Sequence, residues 1–140
     1  MRKPVRIAAL CALVLMTAAA RAADPPTLLT AKELKWVDLG EPRGARQALL
    51  WGDARSSENA VMVRWPFDTK VADQVRNQNL HIVVFAGTFT TDTEGVYREF
   101  GPGGVIVIPK GMKHTLGCEA AGECRFVVHH PGPVEVARGK

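Results

Sequence analysis

The sequence of 140 residues predicts a small all-β domain, a sandwich or barrel in which one closed sheet buries its inner face. Three observations predict it. Apolar or alternating stretches of about four to eight residues recur at fairly regular spacing. They are rich in Val, Ile, Phe and Thr, and Gly, Pro, Asp and Ser residues punctuate them. Segments so short with that composition are strands and not helices. At 46% hydrophobic and 23% charged, the chain has ordinary globular composition, with room for one domain and no second.

In chain order, residues 1–22 come first. Arg2, Lys3 and Arg6 make a basic start, an apolar stretch of 14 residues follows over 7–20, and Ala20-Arg21-Ala22 places small residues where a signal peptidase reads them. The apolar stretch falls short of the roughly 20 residues of a spanning helix. This segment reads as a secretory signal, so the mature chain is expected to be exported, periplasmic or secreted, with no membrane span after signal removal. Cys11 does not read as a lipid-anchor site, because Leu10 precedes it where a small residue belongs.

The formal charge of +4 arises in this segment. Arg2, Lys3, Arg6 and Arg21 lie there with no acidic residue, and beyond residue 22 the 14 basic residues equal the 14 acidic ones. A neutral mature chain lacks the Lys and Arg excess that binding along a phosphate backbone requires, which argues against a nucleic-acid partner.

Residues 23–45 form a polar arm, broken by Pro25-Pro26 and by Glu41-Pro42-Arg43-Gly44. Its contact candidates are Leu34, Trp36, Val37 and Leu39. The barrel occupies 46–140, with strands expected at 47–51, 60–65, 80–86, 88–91, 96–100, 105–108, 114–116 and 125–130. Turn residues at Asp53, Pro66, Gly95, Gly101 to Gly104 and Pro131-Gly132-Pro133 separate them. Only 71–79 is ambiguous; a solvated loop with Arg76 in water is one reading of it.

Beyond the signal two cysteines remain, Cys118 and Cys124. An even count in an exported chain favours a disulfide, here stapling a hairpin near its tip. Closing so short a loop contributes about 2 kcal/mol in the chain-entropy model. A metal or redox pair is the alternative, but metal pairs use tighter spacing with further ligands nearby.

The string Gly103-x5-Pro109-Lys110-Gly111-x2-His114 resembles the second motif of the cupin superfamily, G-x5-P-x-G-x2-H, at every fixed position. Residues 80–89, ending in the Gly87 turn, resemble the close of the first motif, and 126–133 resemble the last strand of small single-domain cupins. The resemblance spans roughly 47–133 and implies a double-stranded antiparallel β-barrel, or jelly roll, whose open end holds a metal or a small ligand. It also implies a metal ligand at His114 and pairing of two copies as a homodimer through sheet edges. Trp36, Trp51 and Trp65 are candidate interface anchors, with core packing as the plainer reading.

The first motif is degenerate. Counting back from Gly87 puts Leu80 in the glutamate slot and either Gln74 and Arg76, or Asp73 and Val75, in the histidine slots; Asp68 replaces the leading glycine. Leu80 has no donor atom, and protonated Arg76 repels a cation. His114 alone survives, whereas a divalent site takes three or more protein ligands. His81 and His129 are the remaining weak ligand candidates. Strand alternation turns His81 away from Leu80 and sends His129 and His130 to opposite faces.

The expected cofactor is therefore none or, at most, a divalent metal. Converging Gln74, Arg76 and His114 above Leu80, Ile82 and Val84 would instead suit a small polar or anionic molecule, because guanidinium pairs bidentately with carboxylate. The leading reading is a small-molecule-binding module with a degenerate metal site. The alternative is a metal-dependent dioxygenase or isomerase using His114 with Gln74, His81 and His129. Intact-mass and N-terminal analysis of exported protein is expected to give a chain beginning at Ala23 with no free thiol on Cys118 or Cys124; an uncleaved or doubly reduced chain contradicts this.

Overall fold

The computed structural model describes residues 24–55, 57–119 and 122–133, together with the backbone of 136–138. The signal segment at 1–22 lies outside the described residues. Those residues hold strands and no helix. In chain order the strands are β1 (Trp36–Asp38), β2 (Arg46–Gly52), β3 (Asn59–Trp65), β4 (Thr69–Arg76), β5 (Leu80–Ala86) and β6 (Phe89–Thr93). β7 (Val96–Phe100), β8 (Val105–Ile108), β9 (His114–Cys118), β10 (Cys124–His130) and β11 (Val136–Arg138) follow. They form two antiparallel sheets, one ordered β1-β2-β3-β10-β5-β8 and the other β11-β4-β9-β6-β7. This is the all-β jelly roll that the resemblance implied.

Alternation sets the core. Val61, Val63 and Trp65 of β3, Leu80, Ile82 and Val84 of β5, and Phe126 and Val128 of β10 all turn inward and are buried. Trp65, Phe89 and Phe126 form one aromatic cluster, with ring centroids 5.7, 5.1 and 4.6 Å apart. Edge and tilted contacts of this kind add to the area they bury. Beside them Cys118 and Cys124 are disulfide-bonded. At Gly87, which has φ +79°, an added Cβ would lie 2.9 Å from Cys124 Cα and 2.6 Å from the Glu123 carbonyl oxygen. Only glycine suits that turn.

Three strands go beyond the predicted set. β1 pairs with β2, Trp36 opposite Ala48, and so extends the first sheet with part of the arm. Arg64 places its guanidinium 5.3 Å from the Trp36 ring centroid, Trp51 is exposed, and Trp65 is a core residue. β11 pairs with β4.

The third, β4, corrects the loop reading of 71–79. Its register against β9 runs Val71 to Leu116 and then Gln74 to His114, so one extra residue is accommodated on β4. Asp73, at φ 54°, absorbs it, held by a 3.0 Å ion pair to Lys113 and by its N–H donating to Thr115 Oγ1 at 3.3 Å. A bulge of this kind breaks the period of two on which sequence recognition of a strand relies.

Phe126 touches both other rings of the cluster. Phe126→Ala is expected to lower unfolding free energy by about 3–5 kcal/mol in urea denaturation, with the midpoint moving and the slope unchanged.

Candidate functional site

A cavity of about 860 Å³ lies between the sheets. Its walls are largely the inward faces of β3, β5 and β10, with Val61, Val63, Trp65, Leu80, Ile82 and Phe126 among them. Leu39, Glu41 and Pro42 of the arm also border it. Hydrogen bonds from Leu39 N to Ala45 O at 2.9 Å and from Ala45 N to Pro42 O at 3.0 Å fix that segment.

The buried and half-buried polar groups gather where four strands begin or end. Gln74 and Arg76 close β4, Asn59 opens β3, and His130 closes β10; Leu80 opens β5 beside them, and all five line the cavity. The bulge at Asp73 decides between the two alignments that the sequence left open. Gln74, opposite His114, and Arg76 line the cavity, the bulge residue Asp73 borders it as an exposed residue, and Val75 is not among the lining residues.

Arg76 is the charged centre. Its Nε is buried without a hydrogen-bond partner, and among the described residues no carboxylate forms an ion pair with it. Burial pulls the guanidinium below its ordinary value, yet arginine keeps its proton at neutral pH. Arg76 is thus not the solvated side chain of the loop reading.

The histidines divide differently from expectation. His114 is 2% exposed and does not line the cavity. Its Nδ1–H donates to the Met112 carbonyl at 2.9 Å, leaving the buried Nε2 unpartnered. His130 is the histidine on the cavity face, in step with Phe126 and Val128. His81 and His129 lie on the outer face, paired in register, with Nδ1 atoms 3.2 Å apart and rings stacked within 9°. His129 Nε2 meets Glu58 Oε1 at 2.7 Å. The structure therefore does not bring His81 and His129 to His114, because they sit one residue out of phase with the wall.

Burial, then the Arg76 charge, then His129 push His130 down to about 4. Burial and the Arg76 charge also hold His114 below its ordinary value, against the Met112 hydrogen bond, which favours the charged form. Both rings are neutral at neutral pH.

Cupins commonly place a cation at this end of the barrel, and the residues here do not fit one. Arg76 brings a fixed positive charge, Leu80 has no donor, and among the described residues no group of three or more His, Cys, Asp or Glu is arranged to hold a metal ion.

Two antiparallel sheets around a cavity whose polar groups stand on strand ends define a cupin. Within that class, the family model described as the ChrR cupin-like domain matches residues 25–133, and the chain belongs to that family. Comparison with curated protein sequences finds no match. Among solved structures the chain is similar to the polyketide cyclase RemF from Streptomyces resistomycificus. The TM-score is 0.70 at 20% identity, covering 81% of this chain and 85% of that one. An RmlC-like cupin from Shewanella frigidimarina gives 0.62 at 16% identity, covering 76% and 92%. Salicylate 1,2-dioxygenase from Pseudoaminobacter salicylatoxidans gives 0.58 at 13% identity, covering 70% of this chain and 30% of that one. At these identities the likeness is one of fold.

Two site residues escaped the sequence reading. The alternation Phe126, Val128, His130 carried a usable signal for His130. Asn59 carried none, since an Asn before an apolar run reads as a turn residue.

Because the folded pKa values of His130 and His114 lie below the unfolded value, the unfolded chain binds more protons as pH falls. The His130 contribution to stability is complete above about pH 6.5 and is lost as pH falls towards about 4, and that of His114 changes in the same direction. Thermal melts between these limits are expected to show a falling Tm, with a shallower fall in His130→Gln.

Proposed function

We propose that this protein is an exported binding module that holds a small organic anion on Arg76 inside the barrel. One observation carries the reading: Arg76 lines the cavity with its Nε buried and without a partner among the described residues, in a slot where cupins place a cation-coordinating side chain. Leaving a charged donor buried and unsatisfied is costly for the empty protein. A carboxylate offsets that cost with two charge-assisted hydrogen bonds, and Gln74 supplies a further amide donor on the same strand. The apolar walls suit the body of such a ligand.

Export rests on the character of residues 1–22 and agrees with the Cys118–Cys124 disulfide. A neutral mature chain leaves nucleic acid without its electrostatic attraction. Pairing of two copies through sheet edges belongs to the same reading. The exposed Val105 and Val107 of edge strand β8 are the apolar surface it would use.

The enzyme alternative requires His114 and further ligands drawn from Gln74, His81 and His129 around one cation. His81 and His129 face outward, and Arg76 stands beside the other two. The cyclase and dioxygenase activities of the neighbours belong to those proteins and reach this chain only as a shared fold.

Benzoate, as a carboxylate probe, is expected to raise the Tm of the mature protein, and Arg76→Met to abolish that shift. The same variant is expected to stabilise the ligand-free protein by about 1 kcal/mol, or roughly 4–8 °C, since it removes an unpaired buried charge. Metal analysis completes the test. Stoichiometric Fe, Mn, Ni or Zn that is lost in His114→Ala would overturn the reading.

A further inference from the structure

Besides Arg76 Nε, a second buried polar atom on a cavity-lining residue has no partner among the described residues. Asn59 is wholly buried, and its Nδ2 donates to the Ser57 carbonyl at 3.1 Å. That bond fixes the amide orientation and leaves Oδ1, a pure acceptor, buried and unsatisfied. Asn59 lines the cavity and stands directly opposite His130 across the β3–β10 ladder. Two residues of the cavity wall therefore carry polar atoms without a protein partner, the Nε–H donor of Arg76 and the Oδ1 acceptor of Asn59. Buried polar groups in native proteins are hydrogen-bonded, so two such orphans on one cavity describe the missing partner.

The other charged residues on the cavity do not extend this pattern. Lys70, Glu41 and Asp73 border it but are exposed, where water screens them, and Asp73 is already paired with Lys113. His130 contributes an uncharged ring, one donor and one acceptor. Among the described residues, Arg76 is thus the one positive charge on the cavity that is not fully exposed. Between the polar groups lie Val61, Val63, Trp65, Ile82 and Phe126, flat or branched apolar surfaces that suit a ring.

Resting on the anion-binding reading above, we propose that the ligand is a monocarboxylic acid bearing a hydroxyl or amino donor on a ring-sized apolar body. Its carboxylate pairs with Arg76, and its donor reaches Asn59 Oδ1. A site built to hydrogen-bond a ligand hydroxyl discriminates against the analogue lacking it, because the buried acceptor is then left unpaired.

Isothermal titration of the mature protein with benzoate, the three monohydroxybenzoates and the dianion phthalate tests this. At least one hydroxybenzoate is expected to bind about tenfold or more tightly than benzoate, and to lose that advantage in Asn59→Leu. Equal binding of benzoate and all three isomers, lost in Arg76→Met, overturns the donor proposal while the anion reading stands. Phthalate binding above every hydroxybenzoate overturns the single-charge inference. No binding of any probe, or binding that survives Arg76→Met, overturns the anion reading itself. Should Asn59→Leu fail to fold, the isomer series on the unaltered protein and on Arg76→Met decides the question.

Discussion

A half-buried guanidinium between two sheets, with no carboxylate paired to it among the described residues, is the constraint to which the rest of this site answers. Arg76 keeps its proton, so two neighbouring histidines adjust instead. His130 and His114 both lose basicity, first through burial and then through the Arg76 charge. With these rings neutral, Arg76 is the half-buried cation among the apolar walls, and the exposed Lys70, Glu41 and Asp73 at the border are screened by water. The same charge in the same slot is what makes the cavity unsuited to a metal ion. The poor fit to a cation and the proposed anion site therefore follow from one side chain.

That side chain reaches the cavity because of a backbone irregularity. Without the extra residue at Asp73, the alternation begun at Thr69 and Val71 would turn Asp73 and Val75 inward, and the wall would carry a carboxylate instead of a guanidinium. The Asp73–Lys113 ion pair and the bond to Thr115 hold the bulge on the outside of β4. They are exposed contacts, each weak by itself, yet together with the β9 ladder they determine which charge the cavity sees.

Legibility in the sequence followed the same physics. The strands of the jelly roll were readable wherever one face is buried and the other wet, as in β3, β5 and β10, because alternation is then enforced by packing. The second motif identified the superfamily through turn residues, Pro109 and Gly111, whose roles are local. β4 was hidden because its residues are mostly polar and its period slips at Asp73. The histidines were half legible: their opposite orientations followed from alternation, but which of His129 and His130 faced inward depended on the phase of β10 against β3. Asn59 was illegible, since its buried acceptor is defined by the empty space beside it and not by its neighbours in sequence.

The two ends of the barrel divide the work. β3 runs from Asn59 to Trp65, β5 from Leu80 to Ala86, β9 from His114 to Cys118, and β10 from Cys124 to His130. At one end stand Asn59, Leu80, Arg76 and His130, three of them polar groups held at an energetic cost. At the other stand the aromatic cluster, the Cys118–Cys124 bridge and the Gly87 turn packed against it. Unsatisfied groups persist in native structures only where the surroundings over-determine them. Here the surplus lies at the far end of the same strands, close enough to fix their register and too distant to neutralise Arg76. A barrel stapled at one end can keep the other electrostatically incomplete, and an incomplete end is what a ligand recognises.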